Sequence, residues 1–116
     1  MLSKTDIQDR PKVVCLCGST RLLEAFQDAN LNETLKGHIV LTIGCDVKTD
    51  HQLFGPTVKM KTVKDMFDNL HLWKIYFSDE ILVLNVGGYI GESTRREIEY
   101  AQSWDKPIRY LEEPCK

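Results

Sequence analysis

Apolar and polar positions alternate along the chain in two rhythms, short unbroken apolar runs and longer stretches with helical spacing. Lys12 to Cys17 (KVVCLC) is a β-branched, apolar run stopped by Gly18, the pattern of a buried strand. Ser19 and Thr20 then offer an N-cap for a helix to about Lys36, with Leu22, Leu23, Phe26, Ala29, Leu31 and Leu35 near helical spacing and Gly37 ending it. His38 to Ile43 (HIVLTI) predicts a second strand, and the polar, glycine- and proline-containing stretch 44–56 a loop. From about Thr57 to Phe77, the residues Met60, Val63, Phe67, Leu70 and Phe77 recur at helical steps, as one long helix or two shorter ones meeting near Asp68. Glu80 to Val86 (EILVLNV) is a third strand, followed by a glycine-rich turn, a helix from Ser93 or Thr94 to about Trp104, and a short last strand, Pro107 to Leu111.

The order β-α-β-α-β-α-β, with strands that lack polar alternation, predicts an α/β fold built on a parallel sheet covered on both faces. A strand order of 2-1-3-4 makes it a small doubly wound, flavodoxin- or Rossmann-like domain spanning 1–116, with 1–10 as a flexible arm.

Composition narrows the function. The 116 residues carry 15 Lys plus Arg against 17 Asp plus Glu, a net charge of -2, so no basic face for a nucleic-acid polymer is expected. No apolar run is long enough to predict a membrane span, and the polar N-terminus lacks a signal-peptide pattern, so a cytoplasmic location is the default expectation. Cys15 and Cys17 are two apart on one strand and read as buried thiols. Without a second pair, and with Asp46, Asp50 and His51 at unconvincing spacing, no metal and no cofactor is expected.

In an open parallel sheet, ligands bind beyond the C-terminal strand ends where the winding reverses, here between the first and third strands. Two polar turns converge there, Gly18-Ser19-Thr20-Arg21 and Gly87 to Arg95, the latter containing Gly88, Tyr89, Gly91, Glu92, Ser93 and Thr94. Each opens a helix and offers backbone N–H groups to an anion, or each simply caps its helix. Glu97 carries the same ambiguity. Thr94-Arg95-Arg96-Glu97 matches a capping box, yet a first-turn carboxylate at the switch point is also placed to meet a substrate.

The pattern resembles the nucleoside 2-deoxyribosyltransferase-like family, which includes nucleoside deoxyribosyltransferases and nucleoside 5'-monophosphate N-glycosidases. The likeness runs from about Lys12 to Leu111. It rests on Cys17-Gly18-Ser19-Thr20-Arg21, on Arg96-Glu97-Ile98-Glu99-Tyr100-Ala101 and on Lys106-Pro107-Ile108. A set of short bacterial and phage proteins shares, in addition, the pattern around Leu70-His71, Lys74-Ile75, Asp79-Glu80 and Gly88 to Thr94. The resemblance implies Glu97 as the catalytic glutamate at the sugar C1', Ser19 and Arg21 as ligands of the sugar or 5'-phosphate, and a homodimer. The family's second acid aligns with His71; Asp68, one helical turn earlier, is the substitute within the sequence. His71 reads equally as an acid or as a core histidine. Asn85, Tyr89 and Glu92 are further candidate contacts to the small-molecule nucleoside or nucleotide. An enzyme of glycosidic cleavage and a non-catalytic nucleotide-binding module both remain open.

Overall fold

Two strands that are buried at every position lie in the middle of a covered sheet. The computed structural model describes residues 10–43 and 60–113. Within them β1 (Val13–Cys17) pairs in parallel with β2 (Ile39–Leu41) on one side and β3 (Glu80–Val83) on the other, and β4 (Ile108–Tyr110) closes the sheet beside β3. The order is β2-β1-β3-β4, all parallel, as the sequence predicts. Among the described residues the helices are α1 (Leu23–Leu35), α2 (Met60–Phe77) and α3 (Glu92–Ser103).

Alternation along the strands divides the core into two layers. Val14, Leu16, Leu82 and Leu84 face α1, where Phe26 and Ala29 pack on them. Cys15, Cys17, Ile81 and Val83 face the other way, against Ile75 of α2 and Ile98 and Ala101 of α3. Asp79 pins the lower ends of the two central strands together. Its carboxylate accepts from the Val13 N–H at 2.8 Å and pairs with Arg10 at 2.7 Å, and its own N–H donates to Val13 O at 2.7 Å.

Several boundaries differ from the sequence reading. Ser19 and Thr20 do not cap α1: Ser19 O accepts from Leu22 N at 3.0 Å and Ser19 Oγ from Arg21 N at 3.3 Å, a turn that delays the helix to Leu23. The buried stripe of α1 is Phe26, Ala29 and Glu33, whereas Leu23, Leu31 and Leu35 are exposed. The helix through Asp68 is continuous. Helix α3 starts at Glu92 with Gly91 as its N-cap, so Thr94 is a buried residue inside the first turn and the capping box is not formed. The expected loop 44–56, the helix start at 57–59, the arm at 1–9, Cys45 and Cys115 lie outside the described residues.

Glu33 stands where the α1 stripe calls for an apolar side chain, and it is 2% exposed. Such a charge persists only when paired. Arg109 of β4 donates to it through Nη2, His38 Nδ1 lies 2.9 Å away and Lys36 Nζ 3.1 Å away. Arg109 also holds Glu80, which Lys12 pairs at 2.7 Å. Burial pushes the Glu33 carboxyl up, but Arg109, His38 and Lys36 outweigh it and bring its pKa down to about 2. The network ties the far end of α1 to β3 and β4.

Candidate functional site

Beyond the C-terminal ends of β1 and β3 lies a cavity of about 420 Å³. One wall is the turn Gly18 to Arg21 that leaves β1. Another is the start of α3, with Gly91, Glu92, Ser93 and Thr94, and Tyr89 stands at the same side. The third wall is α2, which contributes Lys64, Phe67, Asp68, Leu70, His71 and Lys74. The order of the strands produces this convergence: β1 is followed by α1 on one face and β3 by α3 on the other, so the two turns separate and leave a crevice.

The floor is polar and buried. Glu97 and His71 line it, with side chains 18% and 9% exposed, and His71 Nε2 lies 3.5 Å from Glu97 Oε1. Beneath them sit the two thiols of β1. Cys17 Sγ is 3.5 Å and Cys15 Sγ 3.9 Å from the same His71 Nε2. Glu97 Oε1 and His71 Nδ1 are buried without a hydrogen-bond partner among the described residues. A buried oxygen without a hydrogen bond costs folding free energy.

The electrostatics follow from burial. Desolvation pushes the Glu97 carboxyl up to about 7, although the facing His71 opposes it. Burial works against the His71 imidazolium, but the hydrogen bond with Cys15 and the charges of Cys15 and Glu97 hold its pKa above the ordinary imidazole value. Hydrogen bonding with Cys17 draws the Cys15 thiol down, whereas its partner Cys17 is pushed up by that same sharing and by burial. The two thiols therefore titrate as a pair rather than as separate side chains.

Of the residues read from sequence, Gly18, Ser19, Thr20, Arg21, Asp68, His71, Tyr89, Gly91, Glu92, Ser93, Thr94 and Glu97 all border the cavity. Asp68 is at its rim, paired with Lys64 at 3.1 Å and half exposed. Asn85 and Gly88 do not line it. Asn85 is 1% exposed and spans β3 and the end of β4, its Nδ2 donating to Glu112 O at 2.8 Å and its Oδ1 accepting from Glu112 N at 2.9 Å. Gly88 and Gly87 have φ of +80° and +64° and form the turn Val86–Gly88, a backbone role that suits glycine. The sequence reading does not include Lys64 as a site residue and takes Lys74 only as part of a shared pattern; with Phe67, Asp68 and His71 they form a stripe at helical spacing on α2. The signal was present, but it mixes charges with one aromatic and so carries no hydrophobic period. Lys74 Nζ donates to Thr42 O at 2.6 Å, anchoring α2 at the end of β2.

Cys15, Cys17 and His71 offer donor atoms within 4.8 Å of one another, a spacing compatible with a metal ion. No family model matches the chain, and no curated protein matches it.

Proposed function

We propose that the protein cleaves the N-glycosidic bond of a nucleoside or nucleoside 5'-monophosphate, by hydrolysis or deoxyribosyl transfer, with Glu97 acting at the sugar C1'. The observation that carries this reading is Glu97 itself, a buried carboxylate at the floor of a cavity of ligand size, whose Oε1 makes no hydrogen bond among the described residues and faces His71 Nε2. Departure of the base leaves positive charge on the sugar ring, and a carboxylate under C1' stabilises that charge or captures it covalently. His71, 3.5 Å from the carboxylate, positions it. Asp68 at the rim is the second acid, within the wall that a departing base would face. The turn Gly18 to Arg21 and the first turn of α3 supply N–H and hydroxyl groups for the sugar and phosphate, and Tyr89 a ring for the base. By the family resemblance the working form is a homodimer. The half-exposed Trp73, Phe77 and Trp104 provide a surface that a second copy would cover.

The test is chromatographic detection of free base after incubation with a panel of nucleosides and their 5'-monophosphates, with a chelator present. Base release by the parent is expected to fall at least about 100-fold in Glu97→Gln, with ligand-induced thermal stabilisation retained. Stabilisation by a panel member without release from any of them would instead identify a nucleotide-binding module on this fold.

A further inference from the structure

We propose that Cys15 Sγ, Cys17 Sγ, His71 Nε2 and the Glu97 carboxylate form a binding site for one soft divalent cation of the zinc class. The four donors come from three elements: the cysteines from alternate positions of β1, the imidazole from α2 and the carboxylate from α3. Both cysteines are free and fully buried on the sheet face that these helices cover.

The separations about His71 Nε2 match those of a tetrahedral coordination shell. With metal–sulfur bonds of about 2.3 Å and metal–nitrogen bonds of about 2.0–2.1 Å, sulfur and nitrogen on one ion stand about 3.6 Å apart. The two sulfur–Nε2 separations are 3.5 and 3.9 Å. An imidazole nitrogen and a carboxylate oxygen on one ion stand about 3.4 Å apart, and Nε2 to Glu97 Oε1 is 3.5 Å. The two thiols and the imidazole already lie within 4.8 Å of one another; the Glu97 carboxylate, outside that trio but beside His71, turns towards the ion to complete the shell. Two thiolates, one imidazole and one carboxylate select zinc or cobalt over magnesium or calcium, which prefer an all-oxygen shell. On binding, each thiol still protonated gives its proton to solvent as its bond to the ion forms.

His71 and Glu97 border the cavity, which gives the ion its route to the sulfurs beneath. An ion seated there engages the same carboxylate that glycosidic cleavage needs, so metal-loaded and catalytic forms exclude one another. The binding itself does not depend on that reaction.

The test uses the full chain, reduced and stripped with chelator, titrated anaerobically with cobalt(II) and then zinc(II). We expect a near-ultraviolet thiolate-to-cobalt band and intense tetrahedral visible bands, saturating at one ion per chain and bleached by zinc. Cys45→Ser and Cys115→Ser keep the signal, Cys15→Ser and Cys17→Ser lose the thiolate band in part or whole, and Glu97→Gln weakens cobalt binding at least about tenfold. In case a cysteine variant fails to fold, X-ray absorption of the zinc-loaded parent is read as well, with two sulfurs at about 2.3 Å and two lighter ligands expected. Absence of a thiolate band in the parent, its loss in Cys45→Ser or Cys115→Ser, its full retention in a folded Cys17→Ser, unchanged affinity in Glu97→Gln, or a zinc shell without two sulfurs overturns the proposal.

Discussion

Glu33→Gln is the most direct probe of how α1 is held to the sheet. The side chain keeps its shape but loses the charge that Arg109, His38 and Lys36 surround. Because the folded-state pKa of Glu33 is about 2, below its ordinary value of 4.5, the stabilisation is complete above the ordinary carboxylate range and drains away as the pH falls towards 2. That interval corresponds to about 3 kcal/mol at pH 7, of which about 1 kcal/mol survives at pH 3. Urea unfolding of parent and variant across this range is the assay, read at the midpoint with unchanged slope. Glu80, where Lys12 and Arg109 outweigh the effect of burial, and Asp79, held down by Arg10, also titrate below the ordinary range. Both are present in the two proteins and largely cancel in the difference. The variant should be less stable by about 3 kcal/mol at pH 7, and the two curves should converge by about 2 kcal/mol on going to pH 3. A gap that stays constant with pH would refute the argument, because it would show that shape rather than charge holds the helix.

Two further substitutions separate structure from ligand contact. Asn85→Ala removes the reciprocal bonds to Glu112 and leaves its backbone groups unpaired, so chemical denaturation should show a loss of about 1–3 kcal/mol, with ligand affinity measured by calorimetry unchanged. In Gly18→Ala the new methyl meets Leu84 Cβ at 3.2 Å and Phe26 Cζ at 3.5 Å. A loss of about 1–3 kcal/mol in urea unfolding should come together with weaker nucleotide binding, since the cavity wall itself is displaced.

Much of the architecture was legible because β1 and β3 are buried at every position, which leaves a central parallel strand as the sole pattern they fit. The helix starts were not legible in the same way. Ser19 and Thr94 are residues that cap helices well, but Ser19 spends its oxygen on a turn and Thr94 falls within the first turn behind Gly91. Glu33 and Arg109 escaped notice because each, taken alone, reads as a solvated charge; only the fold brings residues 76 positions apart together. Glu97, Gly18 and Gly91 were placed beside the cavity by their position at the switch point, whereas Gly88 was not. The contact of His71 with Cys15 and Cys17 was hidden, since the spacing between a strand and a helix packed on it leaves no periodic trace.

The aromatic side chains on the outer face of α2 and α3 have a use of their own. Tyr76 stands edge-on to Trp73 at 5.7 Å and to Trp104 at 4.9 Å, and these are the only two tryptophans in the chain. One indole therefore rides on the helix that carries His71, and the other at the end of the helix that carries Glu97. Both are about half exposed, so their emission responds to solvent and to any chain that covers them. Intrinsic fluorescence of the unlabelled protein is thus a built-in report on the surroundings of those two helices, and a stopped-flow trace would time its change as a ligand or ion enters.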